Sequence, residues 1–235
     1  ACAAAIAAPF VAVVDKALAQ AASGRARLWQ CALHCCRSFV TSPGTFLLQP
    51  AVRYLAVLYG GTYLVANVLT SLEEARGEVW PAAKTTGIAT TNALLGVWKD
   101  SAFARMFGSR PSSKPPARSL AAWCARDFIA MGGAFVVPSY LATNLQASFG
   151  VKPSHAEVLT QVSVPVLMQP ITAPLALYGF VAHNHGHSPW SVQFDLMRKE
   201  VLSCIALRSL RIFPPYCAGG VVNRSVRSAL RPAPT

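Results

Sequence analysis

At 235 residues, 53% hydrophobic and only 13% charged, the chain is too apolar for an ordinary water-bathed domain, where charged residues make up about a quarter. Its formal net charge of +12 comes without an aromatic-studded basic groove or a nucleic-acid-binding motif, which argues against nucleic acid as the partner. The Lys and Arg residues separate apolar stretches, the pattern that anionic headgroups and the positive-inside bias produce. The 7 cysteines, an odd number without paired C-x-x-C spacing, imply no disulfide framework and fit a reducing compartment.

Residues Ala1 to Ala22 are Ala-rich, and Asp15-Lys16 cuts an apolar run too short to span a bilayer. An interfacial or partner-packed helix is expected there. Ser23 to Arg37 carries Arg25, Arg27 and Arg37 without an acid, and this Ala-, Ser- and Arg-rich opening resembles the end of a mitochondrial import signal. Residues 1–49 are therefore read as a basic, amphipathic, interfacial segment. Within it, CALHCC (31–36) places Cys31 and Cys35 on one helix face beside His34, but a fourth ligand is missing and buried core cysteines explain the spacing. No metal or other cofactor is assigned.

After Thr41-Ser42-Pro43-Gly44 comes the stretch around which the chain is organised, Pro50 to Leu72, nearly uncharged and about as long as a bilayer core requires. Its second half returns in PSYLATNLQASF (138–149), matching at Tyr63/Tyr140, Leu64/Leu141, Asn67/Asn144 and Ser71/Ser148. Asn67, polar within an apolar run, is expected to bond a neighbouring helix, with Asn144 its natural counterpart. A second span lies between Trp80 and Trp98, with a small-residue face of Gly87, Thr90, Thr91 and Gly96 and with Asn92 inside it.

Lys99 to Arg118 reads as a basic loop, either a solvated charged connection or one in which Arg105, Arg110, Lys114 and Arg118 bind an anionic lipid such as cardiolipin while Phe103 and Phe107 enter the acyl region. The third span, about Leu120 to Phe149, opens on Arg126-Asp127, expected as an ion pair at the interface, and is kinked at Pro138. The fourth, about Val158 to Val181, carries Pro165, Pro170 and Pro174 and must be kinked or interrupted. Gln161 and Gln169 there either serve a polar cavity or satisfy the broken backbone. HNHGH (183–187) is read as solvated histidines in a loop at a helix end. The last apolar stretch, Val201 to Val222, is cut by Arg208, Arg211 and Pro214-Pro215 and is either a short span or a surface segment.

The fold expected is all-α: a polytopic transmembrane helix bundle of four or five spans, with a parallel two-helix internal repeat over residues 50–222, followed by a basic tail at 223–235. The basic amino-terminal segment and the 99–118 loop are expected on the matrix or cytoplasmic side. There is no G-x-S-x-G, P-loop, H-E-x-x-H or strand-borne GxGxxG, so enzyme activity is not expected.

Three stretches, TTNALLGVWKDSAF, RDFIAMGGAFVVPSYL and PVLMQPITAPLALYGF, together resemble the sideroflexins over Thr85 to Phe180. That resemblance implies a multi-pass protein of the mitochondrial inner membrane, some of whose relatives carry serine or other small neutral amino acids. Two functions are weighed. In the preferred one the chain is a non-catalytic accessory subunit of a respiratory-chain or ATP-synthase assembly, contacting lipids and partner subunits. In the alternative it is a sideroflexin-like amino-acid transporter with Asn67, Asn92, Asn144, Gln161 and Gln169 as helix-packing or solute-pathway residues.

Overall fold

The computed structural model describes residues 2–24, 26–111, 113–150 and 152–213. Within them the chain is helical, with no strand: α1 (Cys2–Ala21), α2 (Leu28–Thr41), α3 (Pro43–Leu47), α4 (Pro50–Arg76), α5 (Pro81–Phe107), α6 (Ala117–Phe149), α7 (Pro153–Leu167), α8 (Gln169–Asn184) and α9 (Trp190–Leu210). The expected basic tail at 223–235 lies outside the described residues.

Proline and glycine place the boundaries. Proline occupies the first turn of α3, α4, α5, α7 and α8, where its missing N–H is no loss. α4 and α6 each end on a left-handed glycine, Gly77 at φ 66° and Gly150 at φ 62°, and each is followed within a few residues by a proline-started helix. The sequence repeat thus has a structural counterpart: a long helix, a glycine cap and a return helix, made once by α4–α5 and once by α6–α7 with α8.

The second return helix is broken. α7 stops at Leu167, Met168 sits between, and α8 restarts with Gln169-Pro170. Each of Pro165, Pro170 and Pro174 removes a backbone donor, and the break falls among them. α6, by contrast, runs on through Pro138.

The helix at the centre of the bundle is α1. It touches α2, α4, α5, α8 and α9, and from Ala8 onward all its side chains but Phe10, Lys16 and Gln20 are buried. An interfacial position for the opening helix is therefore replaced by an interior one. Alanine-rich composition explains it, since small side chains let five neighbours approach one helix closely. α2 is the amphipathic piece: Leu28, Cys31, Ala32 and Cys35 face inward, while Trp29, Leu33 and Val40 stand exposed.

α4 buries only its first turns, Ala51, Val52, Leu55 and Leu58. Beyond them Leu64, Val68 and Leu72 are exposed, as are Leu94, Phe128, Tyr140 and Leu159 on other helices. Among the described residues, α4 is the one helix long and apolar enough to cross a membrane by length and composition. α5 and α6 carry Lys99, Asp100, Arg126 and Asp127, charges that the bundle turns inward and pairs.

One end of the bundle gathers three connections. Gly24, after α1, packs against His185. Ser109, after α5, donates its backbone N–H to Asn184 Oδ1 at 2.8 Å, and Arg118 donates to the carbonyl oxygen of Gly186.

Candidate functional site

Where α1, α5, α6, α8 and α9 meet, the interior is charged. Asp15 of α1 pairs with Lys99 of α5 and with Arg211, the residue that follows α9. Lys99 also reaches Asp100 at 2.7 Å. Arg126 of α6 bridges Asp100 and its own neighbour Asp127, donating Nε to Asp127 Oδ1 at 2.9 Å and Nη2 to Asp127 Oδ2 at 2.7 Å. Asp15, Lys99, Asp100, Arg126 and Asp127 are all buried. Taking such ions out of water costs several kcal/mol each unless partners and hydrogen bonds replace the lost solvent, and here each has at least one opposite charge.

Close helix contact makes the pairing possible. A Cβ on Gly96 would stand 2.8 Å from Asp127 Oδ2, so glycine at this position lets the α6 carboxylate lie against the α5 backbone. The expected small-residue face of the second span serves this contact.

Arg208 of α9 breaks the pattern. It is only 4% exposed, yet among the described residues it makes no salt bridge, Asp15 acting on it only from beyond contact, and it donates Nε to the neutral Gln169 Oε1 at 3.1 Å. Gln169 stands at the α7/α8 break and uses both ends of its amide. Nε2 donates to the carbonyl of Pro165 at 3.0 Å, and Oε1 accepts from Arg208 and from Thr172 Oγ1 at 3.3 Å. Of the two roles weighed for this residue, the bond to the Pro165 carbonyl is the one that satisfies the broken backbone, and the bond to Arg208 ties that break to a buried charge. Taken together, the cations Lys99, Arg126, Arg208 and Arg211 face the carboxylates Asp15, Asp100 and Asp127, leaving one positive charge in excess at Arg208.

Of the residues expected on a solute pathway whose side chains are described, Gln169 alone belongs to this cluster. Asn92 holds helices together: Thr62 Oγ1 donates to its Oδ1 at 3.4 Å, and its Nδ2 points at Met131 Sδ at 3.5 Å, joining α4, α5 and α6. Asn144 is exposed and donates to the Tyr140 carbonyl at 2.8 Å on its own helix, so it is not the cross-helix counterpart of Asn67. Asn67 itself is half-buried on the part of α4 beyond its buried first turns. The side chain of Gln161 lies outside the described residues.

The basic stretch also differs from expectation, because α5 continues to Phe107 and carries Lys99 and Asp100 into the interior. Phe103 is fully buried rather than in an acyl region, and packs edge-on to Phe107 at 5.4 Å beneath Lys16. Arg105, Arg110 and Lys114 are exposed, whereas Arg118 is committed to Gly186. The Arg126–Asp127 pair forms as expected, but in the interior and not at an interface. In α2, Cys35 Sγ lies 3.9 Å from Gln20 Oε1, and burial pushes its thiol up to about 11, which disfavours the thiolate that a metal needs. His183 and Asn184 of the HNHGH stretch are buried in the last turn of α8 rather than solvated.

Asp15, Lys99 and Asp100 escaped the sequence reading because their partners are remote, 84 residues apart for Asp15 and Lys99 and 196 for Asp15 and Arg211. The one local signal was a lone acid, Asp100, in an otherwise basic stretch.

Apolar outer faces, paired interior charges and a helix interrupted beside them are features that membrane transport proteins share. The chain belongs to a family described as probable citrulline exporters, whose model matches residues 1–231. No curated protein and no solved structure matches it. This membership corrects the sideroflexin resemblance, which rested on three loose stretches, whereas the exporter family covers the chain almost end to end. It also turns the choice between accessory subunit and transporter toward the transporter, and puts the protein in a membrane.

Proposed function

We propose that this chain exports a small zwitterionic amino acid with a neutral polar side chain, citrulline being the solute its family description names, and that the solute carboxylate is held at Arg208. One observation carries the reading: a buried guanidinium without a carboxylate partner among the described residues, beside a helix break, in a cluster with one cation to spare. A carboxylate entering there forms the charge-assisted, two-pronged pair that Arg geometry favours, at a site already desolvated. Gln169 then serves as hinge and partner, because its amide ties Arg208 to the freed Pro165 carbonyl of the interrupted helix.

In this reading α4, α5, α6 and the α7–α8 pair cross the membrane, with α1 filling the bundle and α9 closing it. The exposed apolar residues of α4 and α6 face lipid, which is also the partner proposed for the exposed Arg105, Arg110 and Lys114. The chain acts as a carrier and not as an enzyme. The mitochondrial inner membrane, read from the acid-poor opening stretch, is the location proposed.

The test is efflux of labelled citrulline from liposomes containing the purified full chain. Efflux above that of empty liposomes, lost in Arg208→Gln, supports the assignment. Efflux no faster than that of empty liposomes refutes it.

A further inference from the structure

Between the end of α1, the start of α2 and the middle of α8 and α9 lies an open cleft of about 810 Å³, within the range of about 300–1,000 Å³ that small-molecule sites occupy. Its floor is apolar and closely packed: Ala21, Ala22, Leu177 and Val181 line it and are all buried. Its wall is polar and includes Arg27, at the entry to α2, and Glu200 of α9.

These two charges share the cavity without neutralising each other. Glu200 is half-buried and makes no salt bridge among the described residues; its Oε2 accepts the Leu28 backbone N–H at 3.0 Å. Arg27, next to Leu28 in the chain, is exposed and likewise makes no salt bridge among them. Lys199, also on the wall, is committed to Asp195 on its own helix at 2.6 Å. A simple anion or cation would satisfy one of the two charges, whereas a ligand carrying both signs satisfies both. An α-amino acid is such a ligand: its carboxylate suits the planar fork of Arg27, its ammonium suits the Glu200 carboxylate, and the apolar floor receives a methylene stem.

The cleft also lies on the route to Arg208. α8 and α9 run antiparallel along one seam, with Gln169 bonded to Arg208 at one level and the Ala173 carbonyl accepting from Cys204 Sγ at 3.6 Å one turn on. Another turn along the same seam brings Leu177 and Glu200, which is where the cleft opens. At about 1.5 Å per residue, Glu200 and Arg208 are about 12 Å apart along α9. One small amino acid therefore occupies the two places in turn and not at once. Between them the seam is shut, since Ala173, Leu177 and Cys204 are all buried.

We infer that Arg27 and Glu200 hold the charged ends of an amino acid in this cleft, a staging site from which the solute enters the α8–α9 seam toward Arg208. The staging role rests on the exporter reading; the fit of the cleft to a zwitterion does not.

The test removes the deeper site first. Labelled L-citrulline is titrated onto full-length Arg208→Gln in nanodiscs of phosphatidylcholine, whose quaternary ammonium has no N–H to give Glu200. Saturable binding is expected, weakened about threefold to tenfold by adding Arg27→Gln or Glu200→Gln, the effect of one hydrogen-bonded charge near the surface. Gln at position 200 keeps an oxygen for the Leu28 N–H, so the α2 contact survives while the charge is lost. N-acetylcitrulline, which lacks the ammonium, should bind more weakly than citrulline to Arg208→Gln but equally to Arg208→Gln with Glu200→Gln, a convergence that a merely structural role for Glu200 would not produce. Absence of saturable binding to Arg208→Gln, or binding indifferent to both cleft variants, overturns the staging site and leaves the Arg208 assignment standing. Phosphatidylethanolamine carries the same two charges; displacement of citrulline when that lipid is added makes the cleft a headgroup site and also overturns the inference. Binding that behaves as expected in a chain that releases no citrulline from liposomes counts against the carrier reading alone.

Discussion

Replacing Arg126 by Met isolates the energetic logic of the buried cluster. Arg126 is the only cation paired with Asp127 among the described residues and one of two paired with Asp100. Its loss strands the Asp127 carboxylate, 7% exposed, against the α5 backbone at Gly96. Breaking one side of a buried pair costs about 3–5 kcal/mol, which for a chain of this size lowers the unfolding midpoint by about 6–20 °C at about 2–4 °C per kcal/mol. The double variant Arg126→Met with Asp127→Asn removes both charges, leaves Asp100 its bond to Lys99, and restores at least half of that loss. The assay is thermal unfolding of detergent-solubilised protein, followed by the monodisperse fraction remaining after heating. A double variant as unstable as the sum of the two single changes refutes the reasoning, because the two groups would then not be coupled.

Gly96→Ala forces a Cβ to 2.8 Å from Asp127 Oδ2 and is expected to cost about 1–3 kcal/mol, the scale of overpacking; an unchanged unfolding midpoint contradicts the described α5–α6 contact. Gln169→Leu frees the Pro165 carbonyl and leaves Arg208 without its one described partner, so citrulline efflux should fall sharply while the protein loses about 1–3 kcal/mol for the unsatisfied groups; normal efflux contradicts it. In α2 the buried Cys35 thiol, pushed up to about 11, holds its proton at neutral pH, whereas Cys36 is exposed. The reactive thiolate forms only as pH rises toward that value, so maleimide at pH 7.5 should label Cys36 and spare Cys35 in mass-spectrometric mapping; equal labelling contradicts the burial.

How much of this was legible in the chain depends on where the partners lie. The interruption among Pro165, Pro170 and Pro174 is local chemistry, and the break at Met168 falls among them. The repeated hairpin is local too, and its mark in the structure is the pair of left-handed caps, Gly77 and Gly150. Arg126-Asp127 declared itself as an ion pair because the residues adjoin. Asp15-Lys16, in contrast, looked like a flaw in a short apolar run, since nothing near it in sequence announces Lys99 or Arg211. Asn144 misled by the same token: its likeness to Asn67 is real in sequence, but its amide turns back to Tyr140 on its own helix.

The central claim is that Arg208 waits for a carboxylate. It is tested most directly by comparing the affinity of the purified full chain for citrulline with that for its carboxamide, in which the acid is capped. The account predicts that the native protein prefers citrulline by at least about tenfold, about 1.4 kcal/mol, and that Arg208→Gln abolishes the preference. Equal affinity of the native protein for the two compounds would contradict it.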